Sequence, residues 1–146
     1  MKKALIMMGV LLTSVTITAC SQVSKPAHVV ANKMQNVVTG NALYLQRMAL
    51  PSDAVITVTL SDTSKMDAPS ETISQQNFSA KEQSTPFSFS LPYSKKQILP
   101  NHRYTVSAKV TVKGKLWFIN DTSYVVLTDP AHTTHLDVIM KPITRN

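Results

Sequence analysis

Four stretches of this sequence alternate apolar and polar residues with a period of two, and that pattern restricts the fold more than any other feature. In 54–61, Ala54, Ile56, Val58 and Leu60 fall on one face and Val55, Thr57, Thr59 and Ser61 on the other. In 104–112, Tyr104, Val106, Ala108, Val110 and Val112 oppose Thr105, Ser107, Lys109 and Thr111. Phe87, Phe89 and Leu91 alternate with Ser88 and Ser90, and Leu136, Val138 and Met140 with Asp137 and Ile139. Successive side chains of a strand point to opposite faces, so such a chain buries one face and wets the other as half-buried β-structure.

The punctuation between these stretches agrees. Leu50-Pro51-Ser52-Asp53, Asp67-Ala68-Pro69-Ser70 and Lys113-Gly114 are turn signals, the last placed as a tight hairpin. Ser94 to Leu99 has room for one helical turn before Pro100, and no longer amphipathic helix is present. Seven to eight strands are predicted, at 38–48, 54–61, 70–78, 86–91, 103–112, 115–120, 122–128 and 134–141. Narrow apolar faces must be covered by another sheet, so the expectation is all-β: a two-sheet antiparallel β-sandwich of Ig-like type. Tyr104, Phe87, Phe89, Trp117 and Phe118 are its predicted core aromatics, with Trp117 between the sheets. Leu116 and Phe118 have the opposite parity to Trp117, which leaves the inward face of that strand undecided.

Upstream of the β pattern the character changes. Lys2 and Lys3 precede an apolar run, Ala4 to Ile17, that is too short and wrongly flanked to span a bilayer, and small residues Thr18 and Ala19 follow. This is the layout of an export signal. Ile17-Thr18-Ala19-Cys20 looks like a bacterial lipobox, with Ile where Leu is commoner. Cys20 is the single cysteine of 146 residues, whereas exported domains that use thiols for stability carry them in pairs. Cys20 is therefore expected to be the lipidation site. The predicted organisation is a signal peptide over 1–19, an acylated N-terminus and flexible tether over 20–36, the β domain over 37–141 and a short tail over 142–146. A coil of that length reaches roughly 20–25 Å. Ser21 after the cysteine resembles the outer-membrane sorting preference, so the expected location is the periplasmic face of the outer membrane.

Charge excludes one partner class. Of fifteen Lys and Arg, Lys2 and Lys3 lie in the signal, leaving thirteen against eight Asp and Glu in the mature chain. They are scattered singly apart from Lys95-Lys96, so no dedicated nucleic-acid patch is expected. A diffuse positive field suits anionic headgroups or simple solubility.

Three stretches carry a family resemblance: 49–74 (ALPSDAVITVTLSDTSKMDAPSETIS), 86–112 (PFSFSLPYSKKQILPNHRYTVSAKVTV) and 113–128 (KGKLWFINDTSYVVLT). Together, with Leu50-Pro51, Asp67-Ala68-Pro69, Leu91-Pro92-Tyr93, His102-Arg103-Tyr104 and Asp121-Thr122 in their spacing, they resemble the YbaY-type lipoproteins, grouped with the YscW-type lipoproteins of type III secretion. The resemblance covers about 37–141. It implies a lipid-anchored periplasmic β-sandwich, and in YscW-type relatives a pilotin role: binding a secretin subunit and helping carry it to the outer membrane.

Residues that invite a chemical reading are better explained structurally. His132 and His135 are three apart, on opposite faces of any strand, with no cysteine or carboxylate pair to complete a metal set. Asp62 and Asp67 frame a hydroxyl-rich loop without the glycine and ligand spacing of a calcium loop, and fit turn capping. His102-Arg103 lacks a nucleophile elbow, and Arg103 is expected to pair with an acid such as Asp121 across the loops. Asp121-Thr122 reads as a bulge or bend. Val55, Ile119 and Ile139 are apolar outliers on outward faces. No cofactor, metal or catalytic residue is expected. The favoured function is a non-catalytic, pilotin-like module for an envelope protein; the alternative is a structural or glycan/lipid-binding lipoprotein using basic charge and exposed Tyr44, Tyr93 or Tyr124.

Overall fold

The computed structural model describes residues 36–143. Eight strands follow one another: β1 (Asn36–Tyr44), β2 (Ala54–Asp62), β3 (Glu71–Ser79), β4 (Phe87–Tyr93), β5 (Tyr104–Val112), β6 (Lys115–Ile119), β7 (Tyr124–Val126) and β8 (His135–Pro142), with one 3₁₀ turn at Lys95–Gln97. The alternation places the core as expected: Ile56, Val58, Leu60, Tyr104, Val106, Val110, Phe87, Leu91, Val138 and Met140 are all buried. The fold is all-β with almost no helix.

Strand order corrects the expected architecture. Neighbours run β3-β2-β5-β6-β8-β1-β4, with β7 paired to β5 alone. Two separate Ig-like sheets do not form. A short β6–β8 pairing, Phe118 with Pro142 and Ile119 with Lys141, joins the halves into one nearly closed, barrel-like sheet. At the other margin, edge strands β3 and β4 approach without a ladder. There the Ser90 amide donates to Gln76 Oε1 (2.8 Å), and the Phe78 and Phe87 rings lie 6.1 Å apart.

The pairing is not wholly antiparallel either. β1 runs parallel to β8, Thr39 beside His135 through Tyr44 beside Met140. Period-two patterning reports which face a residue takes and nothing about its neighbouring strand, so the joining of first and last strands has no local signal. It depends on Gly40: a Cβ there would sit 1.7 Å from the Leu136 carbonyl oxygen. Only a residue without a side chain lets the two backbones approach so closely.

Turns and caps follow from particular side chains. Lys113 (φ 49°) and Gly114 (φ 75°) form the β5–β6 hairpin with both central residues at positive φ, as a type I′ turn requires. The hydroxyl of Tyr104, buried at the start of β5, donates to the Gln97 carbonyl and accepts from the Leu99 amide, both at 3.0 Å. It thereby ties the 3₁₀ turn to the core. Asn120 replaces ladder bonds where β6 gives way to β7: its Oδ1 accepts from the Ala108 amide (2.7 Å) and its Nδ2 donates to the Thr122 carbonyl (2.8 Å). The expected bend at Asp121-Thr122 is thus built by the residue before it, and β7 is shorter than the predicted 122–128.

Candidate functional site

Parity along β6 changes at a bulge. Val110 pairs with Phe118 and Thr111 with Leu116, so Trp117 is the extra residue. Two residues opposing one partner lose strict alternation, which re-aims a side chain. Phe118 enters the core, its ring 5.1 Å from that of Tyr44. Trp117, expected between sheets, is instead half-buried in the wall of a surface pocket.

That pocket, about 240 Å³, is lined by Met48, Trp117, Phe118, Pro142 and Ile143. Each wall has a local cause. The Tyr44 hydroxyl donates to the Met48 carbonyl (3.0 Å), drawing the β1–β2 loop inward. The Ile143 amide donates to the Trp117 carbonyl (2.8 Å), extending β8 alongside β6. Met48 and Ile143 are 44% and 38% exposed, and Leu45, beside them on the loop, is 69% exposed. The strand ends and loops at this end carry Arg47, Lys81, Lys113 and Lys115 against Asp53 and Glu82, while Lys141 is paired with Asp121. The result is an apolar hollow on a basic end of the domain.

The pocket lies at the end of β1 opposite Asn36, roughly 26 Å along the strand at about 3.3 Å per residue. Sequence reasoning missed it, because its residues come from a loop, a bulge and a strand terminus. Its one legible trace was the parity conflict at Trp117.

The other singled-out residues do not converge here. Cys20, with the rest of the signal and tether, lies outside the described residues. Asp62 Oδ2 accepts from His102 Nδ1 at 2.5 Å, a pairing across forty positions of chain. Asp62 also accepts from the Ser64 amide and hydroxyl. Burial by itself would push this carboxyl up, but these hydrogen bonds outweigh it and hold it at about 2. Asp67 is exposed on the same loop. Arg103 and Asp121 do not pair: the Arg103 amide donates to Ser64 Oγ (2.7 Å), and Asp121 accepts from Lys141 Nζ (2.6 Å). The connectivity brings Lys141 of β8 beside β6, where no local signal placed it.

His132 Nδ1 donates to the Leu127 carbonyl (3.0 Å), and His135 Nδ1 is hydrogen-bonded to Thr39 Oγ1 (3.0 Å). Each ring therefore has its own separate partner. No cluster able to hold a metal occurs among the described residues. Ile119 pairs with Lys141, whose neighbour on the same face of β8 is Ile139, while Val55 lies apart on β2. The three outliers are not one patch. The tyrosines expected to be exposed are not: Tyr44 is buried, and Tyr93 and Tyr124 are half-buried, the Tyr124 hydroxyl accepting from the Ile139 amide.

Fold and pocket together define a class: a small all-β domain with an apolar surface hollow lined by Met48, Trp117, Phe118, Pro142 and Ile143. The chain belongs to the YscW family, described as type III secretion system lipoprotein chaperones, whose family model matches residues 33–138. It is 41% identical over 106 residues to the uncharacterized lipoprotein YbaY of Escherichia coli strain K12, across 73% of this chain and 55% of that protein. It thus spans about half the length of that curated relative. Among solved structures it is similar to an alternative pilotin from the type II secretion system of Vibrio cholerae. The TM-score is 0.70 and the identity 43%, covering 75% of this chain and 97% of that one.

Proposed function

We propose that this chain is a lipid-anchored accessory module of pilotin type, non-catalytic and confined to the envelope. Acylation of Cys20 would hold it on the periplasmic face of the outer membrane, and residues 20–36 would tether the β domain, 37–141, within roughly 20–25 Å of the bilayer. Its partner is a secretin-like envelope protein. Membership of a chaperone family and likeness to a type II pilotin support this reading.

The observation that carries it is the hollow at Met48, Trp117, Phe118, Pro142 and Ile143. Aromatic and apolar anchors in a concave site dominate protein recognition, and surrounding basic residues select an acidic partner segment and speed its arrival. The partner segment therefore presents apolar anchors flanked by Asp or Glu. The hollow lies at the end of β1 remote from Asn36, the first described residue.

The test is co-purification of the host's secretin subunit with the acylated protein from membranes. Wild type is expected to retain the subunit, and Trp117→Ala and Met48→Asp to lose it. Met48→Asp alters an exposed loop position, so its thermal unfolding should match wild type and separate lost binding from lost folding. Retention of the subunit by both variants, or its absence with wild type, overturns the proposal.

A further inference from the structure

A second, larger hollow lies at the opposite end of the domain, where the chain enters from the tether. It measures about 450 Å³ and is lined by Tyr93, Lys95, Ile98, Leu127, His132 and Thr134. Two of these residues border the first residues of β1: Tyr93 pairs with Asn36, and the Thr134 carbonyl accepts from the Thr39 amide (2.8 Å). Asn36, the first described residue of β1, is therefore at this end.

We propose that this hollow binds the headgroup of an anionic phospholipid in the membrane that carries the anchor, seating the domain upright on the bilayer. The inference rests on the lipid-anchor reading of Cys20. Three observations carry it.

The first is charge. Lys95 in the wall and Lys96 beside it make no ion pair among the described residues, while two acids of the neighbouring loops are engaged in local hydrogen bonds. Asp62 is occupied by His102 and Ser64. Asp129 accepts from the Ala131 amide and from both the amide and hydroxyl of Thr133. Asp67 and Glu71 remain, on the β2–β3 side and outside the lining. The lining itself thus contains lysine and no carboxylate.

The second is apolar depth. Tyr93, Ile98 and Leu127 supply a floor for the glycerol region, with Leu99 48% exposed next to it. The volume falls within the roughly 300–1,000 Å³ of small-molecule sites. Tyrosine and lysine beside aliphatic side chains is the composition of a membrane interface.

The third is backbone geometry. Of the non-glycine residues with positive φ among those described, Leu127 (67°) and His132 (47°) both line this hollow. A bulky residue such as leucine takes that conformation only when its surroundings impose it, and such positions gather at binding sites. His132 Nδ1 donates to the Leu127 carbonyl, fixing the loop around the opening.

A short tether raises the effective concentration of the bilayer to the millimolar range, so a weak site suffices. This makes a lipid a better occupant than a free anion.

The experiment uses residues 20–146 with Cys20→Ser, so that no acyl chain contributes, in co-sedimentation with vesicles. Binding is expected with phosphatidylglycerol in the vesicle and not with phosphatidylcholine alone. Lys95→Gln should weaken it roughly fivefold, Ile98→Asp should abolish it, and Lys113→Gln at the far end should leave it unchanged. Free glycerol phosphate should compete only weakly; full competition at low concentration would make the ligand a soluble phosphate and overturn the lipid assignment. Brominated lipid should quench a tryptophan placed by Tyr93→Trp and spare Trp117. Equal loss from Lys95→Gln and Lys113→Gln, or quenching of Trp117, would reduce the effect to diffuse charge and overturn the proposal. The anchor reading is checked separately, by the mass of the native N-terminus. An unacylated Cys20 defeats that reading, whereas an acylated one with no vesicle binding defeats only this inference.

Discussion

The carboxylate of Asp62 and the imidazole of His102 meet at 2.5 Å, tying the last residue of β2 to the segment that enters β5. The contact sits above the buried Tyr104, whose ring lies 6.3 Å from that of His102 and nearly parallel to it. Burial disfavours the Asp62 charge, yet hydrogen bonds from His102 and Ser64 bring the carboxyl down from 3.8 to about 2. A carboxyl depressed by folding stabilises the native state above its unfolded value, and that stabilisation disappears as pH falls through the folded value. The window here is about pH 4 down to about pH 2. Asp62→Asn should cost about 1–2 kcal/mol at neutral pH and flatten the acid dependence across that window. Urea unfolding at a series of pH values measures both, and an unchanged acid slope would show that the pairing carries no stability.

Tyr104→Phe isolates a single hydroxyl. Removing it leaves the Gln97 carbonyl and the Leu99 amide without this partner, while the buried ring still fills its site. A loss of about 1–3 kcal/mol is expected, with faster amide exchange confined to 95–99. Exchange that quickens uniformly across the domain would mean that the hydroxyl supports the whole core rather than the turn.

Gly40→Ala adds one methyl group where β1 meets β8. With the Leu136 carbonyl oxygen 1.7 Å and the Phe89 ring 2.9 Å from the new Cβ, one of the backbones must move. A penalty of about 3 kcal/mol or more is expected. Chemical denaturation of the alanine variant measures it, and a stability within 0.5 kcal/mol of wild type, the usual spread for surface changes, would show that the β1–β8 approach can relax.

These variants mark how far the sequence could be read. Strand positions were legible because burial forces alternation: 54–61 and 104–112 state their faces residue by residue. The hairpin at Lys113-Gly114 was legible because its geometry requires positive φ. Sheet closure was not, since β1–β8 pairing joins residues almost a hundred positions apart through a glycine whose role appears only once a carbonyl lies opposite. The far-end pocket was hidden for a similar reason. Its residues share no periodicity, and the bulge at Trp117 registered only as a conflict of parity. Asp62 and His102 were each noticed, but their pairing is a product of the β2–β5 register.

Lys141 and Asp121 offer a contrast to the Asp62 pair. Their atoms are 2.6 Å apart, and the hydrogen bond from Lys141 lowers the Asp121 carboxyl and raises the lysine. Both side chains are more than half exposed, so water and salt screen the attraction and holding two side chains in register costs entropy. Asp121→Asn should leave the melting temperature unchanged at physiological salt. A clear drop would assign this pair a part in holding β8 against β6.

Cys20→Ser tests the proposed anchor separately from the fold. Among the described residues the buried core lies between Val38 and Met140, and Cys20 is sixteen positions ahead of β1. Thermal unfolding of a form starting at residue 20 should therefore be the same with Cys or Ser. Membrane attachment should not be: each buried CH₂ contributes about 0.8 kcal/mol, and two or more chains anchor a protein stably where one does so only marginally. In cells the serine variant should accumulate as a precursor that keeps residues 1–19 and should separate from the outer-membrane fraction. A processed, membrane-bound serine variant would require another attachment, and the headgroup site at Lys95 alone is too weak to supply it, because contacts worth about 1 kcal/mol per lysine fall away at high salt. Salt extraction of such a variant would then decide the matter: release points to charge at the bilayer surface, and retention to a second anchor elsewhere in the chain.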